Sequence, residues 1–299
     1  MRFTAIALVL ATRVAAQELE PRSYSPSPIG TSFFVSAYSY SSGGILFDPT
    51  VPITDGHAQL NALSAGYGHV FAIGRAQALF TAALPFFWGH FRGKLGGSPT
   101  DTAVDRTGVG DARLKLSTNF IGSPALTPAE FARGPLHRFV MGASVAIVVP
   151  TGQYYSNKLV NIGANRWAFK PEIGASYNWN AKIFVDFYAG CWFFAKNPNY
   201  YTGDNALTQD PLASFQLHAS YVFMPRFYIS LTSTWYIGGS THLNDGPASE
   251  RTDNSRLGLL VSYGLTRTQS LKLSYSDGAT VRVGSSYQTV ALAYQLVWF

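Results

Sequence analysis

Residues 166–179 read RWAFKPEIGASYNW, and every second residue in this stretch is apolar or aromatic while its neighbours are small, polar or charged. Side chains on a β-strand point alternately to opposite faces, so the pattern predicts a strand with one apolar and one polar face. The stretch is longer than the roughly 5–6 residues of an ordinary globular strand. Its length and its two faces suit a strand that crosses a bilayer, with lipid outside and a polar interior inside.

The same alternation recurs along the chain and predicts about twelve strands, an even number as single-chain bacterial barrels require. The connections alternate in length, and outer-membrane barrels have short periplasmic turns and long extracellular loops. We therefore predict an all-β, antiparallel transmembrane β-barrel with both termini in the periplasm. One long link, at 121–137, interrupts the alternation, and we expect a turn or one helical turn within it. The predicted strands are 31–40, 59–71, 78–88, 111–120, 138–149, 166–179, 182–193, 214–223, 226–235, 255–264, 270–276 and 287–298.

The composition favours a barrel over an exported soluble protein. Aromatic residues make up 15% of the chain and charged residues 13%, which is about half of the roughly 25% typical of globular domains. The net charge of +6 favours contact with anionic lipid or solutes, but the basic residues are dispersed, which does not indicate nucleic-acid binding. The single cysteine, Cys191, excludes an intrachain disulfide, and we expect it to face lipid.

The start of the chain predicts export. Residues 1–16 have a basic start, an apolar run and a small-residue cleavage site, as in a signal peptide. Residues 17–299 then form a single outer-membrane barrel domain of a Gram-negative bacterium, with outer-membrane lipid around it. The residues before the first predicted strand leave no room for a plug domain. The final segment ends in Trp298-Phe299, an aromatic ending of the kind that the barrel-insertion machinery recognises.

Two prolines fall within predicted strands. Pro85 and Pro171 lack the backbone N–H that a closed barrel needs for its ladder of hydrogen bonds. We expect a bulge or a local gap in the ladder at both positions.

Short motifs occur in order along most of the mature chain: GYGH (66–69), GRA (74–76), LP (84–85), GVGD (108–111), GSPAL (122–126), PTGQY (150–154), NIGANRW (161–167), KPEIG (170–174) and NPNY (197–200). In their order and spacing they resemble the family of outer-membrane barrels known as the MetA pathway of phenol degradation. The resemblance implies a β-barrel channel that moves small, often aromatic or hydrophobic, compounds inward.

The charged residues of the predicted strands are expected to face the lumen, because a charge on the lipid face costs about 2–4 kcal/mol at the membrane midplane. Two interpretations remain open: a constriction that orients polar groups of a solute, or a network of ion pairs that stiffens the barrel. Glu172 and Asp186 are expected to lie near each other, with basic neighbours that neutralise them. The candidate residues of the solute path are Asp111, Arg113, Lys115, Arg166, Lys170, Glu172, Asp186 and His218.

No residue pattern indicates a cofactor, a metal site or a catalytic centre. The histidines lack paired metal-ligand spacing, and residues 108–111 lack the third glycine of a dinucleotide fingerprint. We predict a passive channel rather than an enzyme, gated by external loops such as residues 197–204. Two alternatives stay open: a lipid-acting barrel enzyme that uses His218 with Ser230 on the neighbouring strand, and a structural or adhesive barrel whose loops bind a partner.

Overall fold

The computed structural model describes residues 20–45, 53–95, 101–135, 137–281 and 285–299. The predicted signal peptide, residues 1–16, lies outside these ranges. The described chain forms sixteen strands and one short helix. Their bounds are β1 (Ser32–Ile45), β2 (Ile53–Ile73), β3 (Ala76–Leu95), β4 (Asp101–Val109), β5 (Ala112–Pro124), α1 (Pro128–Arg133), β6 (Phe139–Val149), β7 (Ala168–Trp179), β8 (Ile183–Phe194), β9 (Asn197–Tyr200), β10 (Asn205–Gln209), β11 (Leu212–Met224), β12 (Phe227–Gly238), β13 (Thr241–Leu243), β14 (Thr252–Gly264), β15 (Gln269–Val281) and β16 (Ser285–Trp298).

Twelve of these strands form a closed antiparallel barrel, which confirms the predicted fold. Each barrel strand pairs with its sequence neighbour in the barrel, and the pairing of β1 with β16 joins the two ends of the meander. Short turns connect β2 to β3, β7 to β8, β11 to β12 and β14 to β15. These turns lie at the end where β1 begins and β16 ends, and we call this the periplasmic end, since outer-membrane barrels place their short turns there.

The two faces of the strands meet different surroundings, as predicted. Along β7, buried residues alternate with exposed ones over almost the whole strand. Glu172 is 5% exposed, whereas its neighbour Ile173 is 45% exposed and points outward. Cys191 is half-buried and lies on the outward set of β8. Polar residues therefore line the lumen while the apolar residues form the lipid face.

The structure corrects the prediction of a long loop between residues 89 and 110. Instead, β3 continues to Leu95, and β4 pairs with its extracellular half, from Phe86 opposite Val109 to Lys94 opposite Asp101. A second correction concerns the loops after β8 and β12, where β9, β10 and β13 form a small separate sheet. These strands have only three to five residues, which is too few to carry a recognisable alternation.

Both prolines lie at gaps in the ladder, as predicted. Pairing of β3 with β5 ends at Ala83, pairing of β3 with β4 begins at Phe86, and Pro85 lies between them. The Gly110 N–H donates to the Pro85 carbonyl across this break, at 2.8 Å. Similarly, Pro171 falls in a gap of the β7–β8 ladder. The first gap separates β4 from β5, which would otherwise form one long strand.

The helical turn expected in the link between β5 and β6 is also present. Helix α1 begins with a capping box, in which Glu130 N–H donates to Thr127 Oγ1 and the Thr127 N–H donates to the Glu130 carboxylate at 2.9 Å. The Thr127 N–H holds the pKa of the Glu130 carboxyl below its ordinary value. Within the described ranges, none of the helical structure is long and apolar enough to cross a membrane.

The cost of placing a charge on the lipid-facing surface is expected to depend on how deep in the membrane the residue lies. Leu231, in the middle of β12, is 63% exposed, and Met224, at the periplasmic end of β11, is 56% exposed. We expect Leu231→Arg to lower the free energy of unfolding in phospholipid vesicles by about 2–4 kcal/mol, and Met224→Arg by about 0–1 kcal/mol. Urea unfolding followed by tryptophan fluorescence measures both. Equal losses for the two variants would contradict the assignment of this surface to lipid.

Candidate functional site

A short N-terminal segment, residues 20–31, enters the lumen from the periplasmic end, and we call it the plug. Its central residue, Tyr24, is 1% exposed. The ring lies in a hollow formed by Gly142 and Gly174, which face each other on β6 and β7. A Cβ built at Gly142 would lie 2.6 Å from Tyr24 Cδ1, and one built at Gly174 would overlap the ring. The sequence left no room for a plug domain, and this segment of twelve residues lies within the lumen without forming a domain.

Polar contacts fix the plug to the inner wall along its length. The Arg22 N–H donates to Asp186 Oδ2 at 3.0 Å, and the Ser23 N–H donates to the Tyr188 hydroxyl at 3.0 Å. The Asn119 side chain donates to the Tyr24 carbonyl at 3.0 Å. These backbone groups of the plug thus find their partners on two strands, β5 and β8. Such pairing is required of polar backbone placed in a water-poor interior.

The Tyr24 hydroxyl connects the plug to the charged part of the lumen. It donates to Glu172 Oε1 at 3.2 Å and lies 3.1 Å from Ser144 Oγ. Burial raises the pKa of the Tyr24 phenol, so the hydroxyl stays protonated and remains a donor.

Three of the predicted lumen residues form one charged cluster. Lys170 Nζ lies 2.7 Å from Glu172 Oε2, and Lys115 Nζ lies 3.7 Å from Glu172 Oε1. Lys115 also lies 3.6 Å from Glu20 Oε2 of the plug. Since Lys170 and Glu172 are almost completely buried, their charges compensate each other within the barrel. The ion pairs therefore stiffen the wall and hold the plug at the same point.

Asp186 and His218 lie in other parts of the wall. Glu172 is opposite Gly190, whereas Asp186 is opposite Ser176, so the two carboxylates are separated along the hairpin and bind different partners. Asp186 accepts from the plug backbone rather than from a lysine. His218 is fully buried, and its Nδ1 lies 2.8 Å from Thr232 Oγ1.

The arrangement around His218 gives no support to the lipid-acting alternative. Ser230 Oγ accepts from Ser220 Oγ at 3.0 Å, and His218 pairs with Thr232 instead. Both His218 and Ser230 are 0% exposed and lie on the inner face, away from lipid. Among the described residues, no group of three or more His, Cys, Asp and Glu side chains could hold a metal ion.

The remaining candidates lie towards the extracellular end. Asp111, at the break between β4 and β5, accepts from the Gly152 and Ala164 N–H groups, at 2.8 Å each. It thereby holds the β6–β7 loop, residues 150–167, against the break. Arg166 is 5% exposed and donates to Gln209. Arg113 is half-buried and lies opposite Ala83 of β3.

An apolar cluster occupies the inner face of the barrel near the extracellular end. It joins side chains of β2 and β3 to residues of the β6–β7 loop. Arg106 helps to hold this loop in place, because its Nε donates to the Val160 carbonyl at 2.7 Å. This cluster was not predicted from the sequence, because the first three strands alternate less regularly than the others. Its buried members are Leu60, Ala62, Phe87, Phe91, Val160 and Ile162.

A closed twelve-stranded barrel with an apolar outer face and a charged, plugged interior defines a β-barrel of the outer-membrane type. The chain belongs to the family described as "Putative MetA-pathway of phenol degradation", whose model matches residues 39–296. No curated protein matches the chain by sequence.

Solved structures share the fold. The COG4313 outer membrane channel from Pseudomonas putida F1 is similar with a TM-score of 0.76 at 20% identity, over 94% of this chain and 100% of that chain. The transport unit of the autotransporter AIDA-I from Escherichia coli is similar with a TM-score of 0.55 at 10% identity, over 95% of each chain. At these identities the likeness shows the barrel fold alone.

The hollow around Tyr24 predicts the effect of a single methyl group. We expect Gly174→Ala to displace the Tyr24 ring, to lower stability by about 1–3 kcal/mol through overpacking, and to raise single-channel conductance in planar bilayers. Gly66→Ala is the control, because a Cβ at Gly66 has its nearest neighbour at an ordinary 3.6 Å. Unchanged conductance in Gly174→Ala would show that Tyr24 does not limit the passage of ions.

The contacts of Asp111 predict local loop mobility. Hydrogen bonds to a charged group contribute about 1.5–3 kcal/mol each, so Asp111→Ala is expected to release the β6–β7 loop. Hydrogen–deuterium exchange of peptides from residues 150–167 should then be faster. Asp253→Ala is the control, because Asp253 is an exposed carboxylate on β14, away from the β6–β7 loop. Equal exchange in both variants would contradict the role assigned to Asp111.

Proposed function

We propose that the protein is a passive outer-membrane channel, rather than an enzyme, that takes up small solutes, aromatic or hydrophobic compounds among them. The observation that carries this proposal is the change from apolar to charged side chains along the lumen. An apolar cluster lies near the extracellular end, the ion-paired cluster around Glu172 lies below it, and a plug held by non-covalent contacts occupies the lumen towards the periplasmic side. A purely structural barrel does not require apolar side chains on its inner face above a plug that non-covalent contacts hold.

The apolar cluster supplies the first part of the proposed path. Its phenylalanines, Phe87 and Phe91, are buried on the inner face, and aromatic rings pack favourably against other rings. The family description refers to phenol degradation, and the similar Pseudomonas putida structure is named an outer membrane channel. Both support a small aromatic or hydrophobic solute.

The charged residues form the second part of the path. We assign Lys115, Lys170 and Glu172 to a constriction that a solute passes once the plug moves aside. Asp186 holds the plug, and His218 belongs to the polar wall. Asp111, Arg113 and Arg166 are assigned to the extracellular part of the same path, where Asp111 fixes the loop beside it. The constriction and the stiffening network are thus the same residues.

Export and insertion complete the proposal. Residues 1–16 act as a signal peptide, and residues 17–299 form the mature barrel domain in the outer membrane of a Gram-negative bacterium. The insertion machinery recognises the last strand, β16. On this strand Leu292 and Trp298 face outward and are 49% and 42% exposed, as contact with outer-membrane lipid requires.

Liposome swelling tests the channel proposal. Phenyl glucoside and methyl glucoside are suitable probes, because the sugar keeps both from crossing lipid unaided and only the first carries an aromatic ring. We expect vesicles that contain the protein to swell in phenyl glucoside faster than empty vesicles. Phe91→Ser should reduce the preference for phenyl over methyl glucoside, because it removes an aromatic wall from the path.

The matched control is Phe86→Ser, since Phe86 lies on the same strand but faces outward and is 41% exposed. Failure of every variant and of the unaltered protein to pass either probe would overturn the channel proposal. Equal effects of the two substitutions would overturn the role of the apolar cluster.

A further inference from the structure

A cavity of about 240 Å³ opens at the periplasmic end of the barrel, beneath the plug. The plug contributes one wall, and the periplasmic ends of β11, β12, β14, β15 and β16 with their turns contribute the others. Three arginines line it: Arg22 of the plug, Arg226 of the β11–β12 turn and Arg267 of the β14–β15 turn. No carboxylate is among its lining residues in the part of the chain that the structure describes.

The three arginine side chains form no close ion pair. Within the described ranges, none of the three guanidinium groups lies within ion-pair distance of a carboxylate. Asp186 accepts the backbone N–H of Arg22 and also attracts its guanidinium group from beyond ion-pair distance. The Arg22 Nε is buried and has no hydrogen-bond partner among the described residues. A buried donor without a partner indicates a place for an acceptor that the chain itself does not supply.

Contacts with neighbouring residues fix the positions of Arg226 and Arg22. The Arg226 side chain lies across Gly264, where an added Cβ would come within 2.7 Å of Arg226 Cβ and 3.1 Å of its Cδ. The Gly264 N–H also donates to the Arg226 carbonyl at 2.8 Å. On the opposite side, the Arg22 guanidinium lies 4.2 Å from the centre of the Phe184 ring and 5.3 Å from that of Tyr228.

The cavity also has an apolar wall. Val222, Phe227, Tyr228 and Val297 line it beside the arginines. A cavity of about 150 Å³ is enough to hold a benzene ring. The space here is therefore large enough for one ring together with a small charged group.

We propose that this cavity binds a small organic acid with one aromatic ring, whose carboxylate is held by the arginines. Guanidinium groups match the planar, two-oxygen geometry of a carboxylate, and they also stack on aromatic faces. An inorganic anion would use the arginines but leave the apolar wall without a partner. The inference rests on the proposed channel function, and it identifies aromatic carboxylates as a solute class and this cavity as the last binding position before the periplasm.

Calorimetric titration of the detergent-purified full-length mature protein tests the proposal, with benzoate as the probe. Benzyl alcohol supplies the ring without the charge, and inorganic phosphate supplies charge without the ring. The test variant is Arg226→Gln/Arg267→Gln. Its control is Arg133→Gln/Arg138→Gln, which removes the same charge from exposed positions outside the cavity. The shift in gel mobility on boiling establishes that each barrel is folded.

We expect benzoate to bind the unaltered protein and the control equally, and the cavity variant about tenfold more weakly, since two ionic contacts are lost. Benzyl alcohol and phosphate should bind more weakly than benzoate. Equal binding of phosphate and benzoate, equal binding of benzyl alcohol and benzoate, or equal weakening in both variants would each overturn the proposal. Should the double variant not fold, Arg267→Gln alone, in an exposed turn, replaces it.

The swelling assay separates this inference from the channel proposal. Vesicles that pass phenyl glucoside while the protein shows no benzoate binding would overturn the cavity assignment and leave the channel intact. Benzoate binding without passage of any probe would support the cavity and overturn the channel.

Discussion

The structure depends on one constraint: inside a bilayer every backbone N–H and carbonyl must find its partner within the protein. A closed sheet meets this constraint, and it forces each strand to present alternate residues to lipid and to the interior. Glu172 and Ile173 are adjacent in sequence, yet one lies in an ion-paired cluster and the other contacts the membrane. The plug follows the same requirement, because wall side chains accept from or donate to its backbone at Arg22, Ser23 and Tyr24.

Most of the fold could be predicted because the alternation is local. All twelve barrel strands were predicted, although β1, β2, β3 and β15 continue five to seven residues further at their extracellular ends. The inward position of Lys170 and Glu172 followed from the phase of β7. The ladder gaps at Pro85 and Pro171 were also predictable, since they follow from the chemistry of a single residue. The continuation of β3 to Leu95, where it pairs with β4, was not predicted, because apolar and polar residues alternate too irregularly there.

The lumen was less predictable, since its contacts join residues that are far apart in sequence. Tyr24 lies 148 positions from Glu172, and no local pattern connects them. The one available signal was the pair of inward glycines, Gly142 and Gly174, opposite each other on adjacent strands. Two such glycines leave a hollow, but only the folded barrel shows which side chain fills it. The position of Asp111 beside the β6–β7 loop depends in the same way on the distant Gly152 and Ala164.

The plug also has a consequence for the order of assembly. It precedes β1 in the chain, yet its partners Ser144, Glu172, Asp186 and Tyr188 lie on β6, β7 and β8, on a different part of the circumference from the β1–β16 seam. Those side chains form a common wall only after the hairpins have joined, and contacts so distant in sequence form late. The segment that comes before the barrel is therefore the last to reach its final position, and a newly inserted barrel passes through a stage with an unoccupied interior.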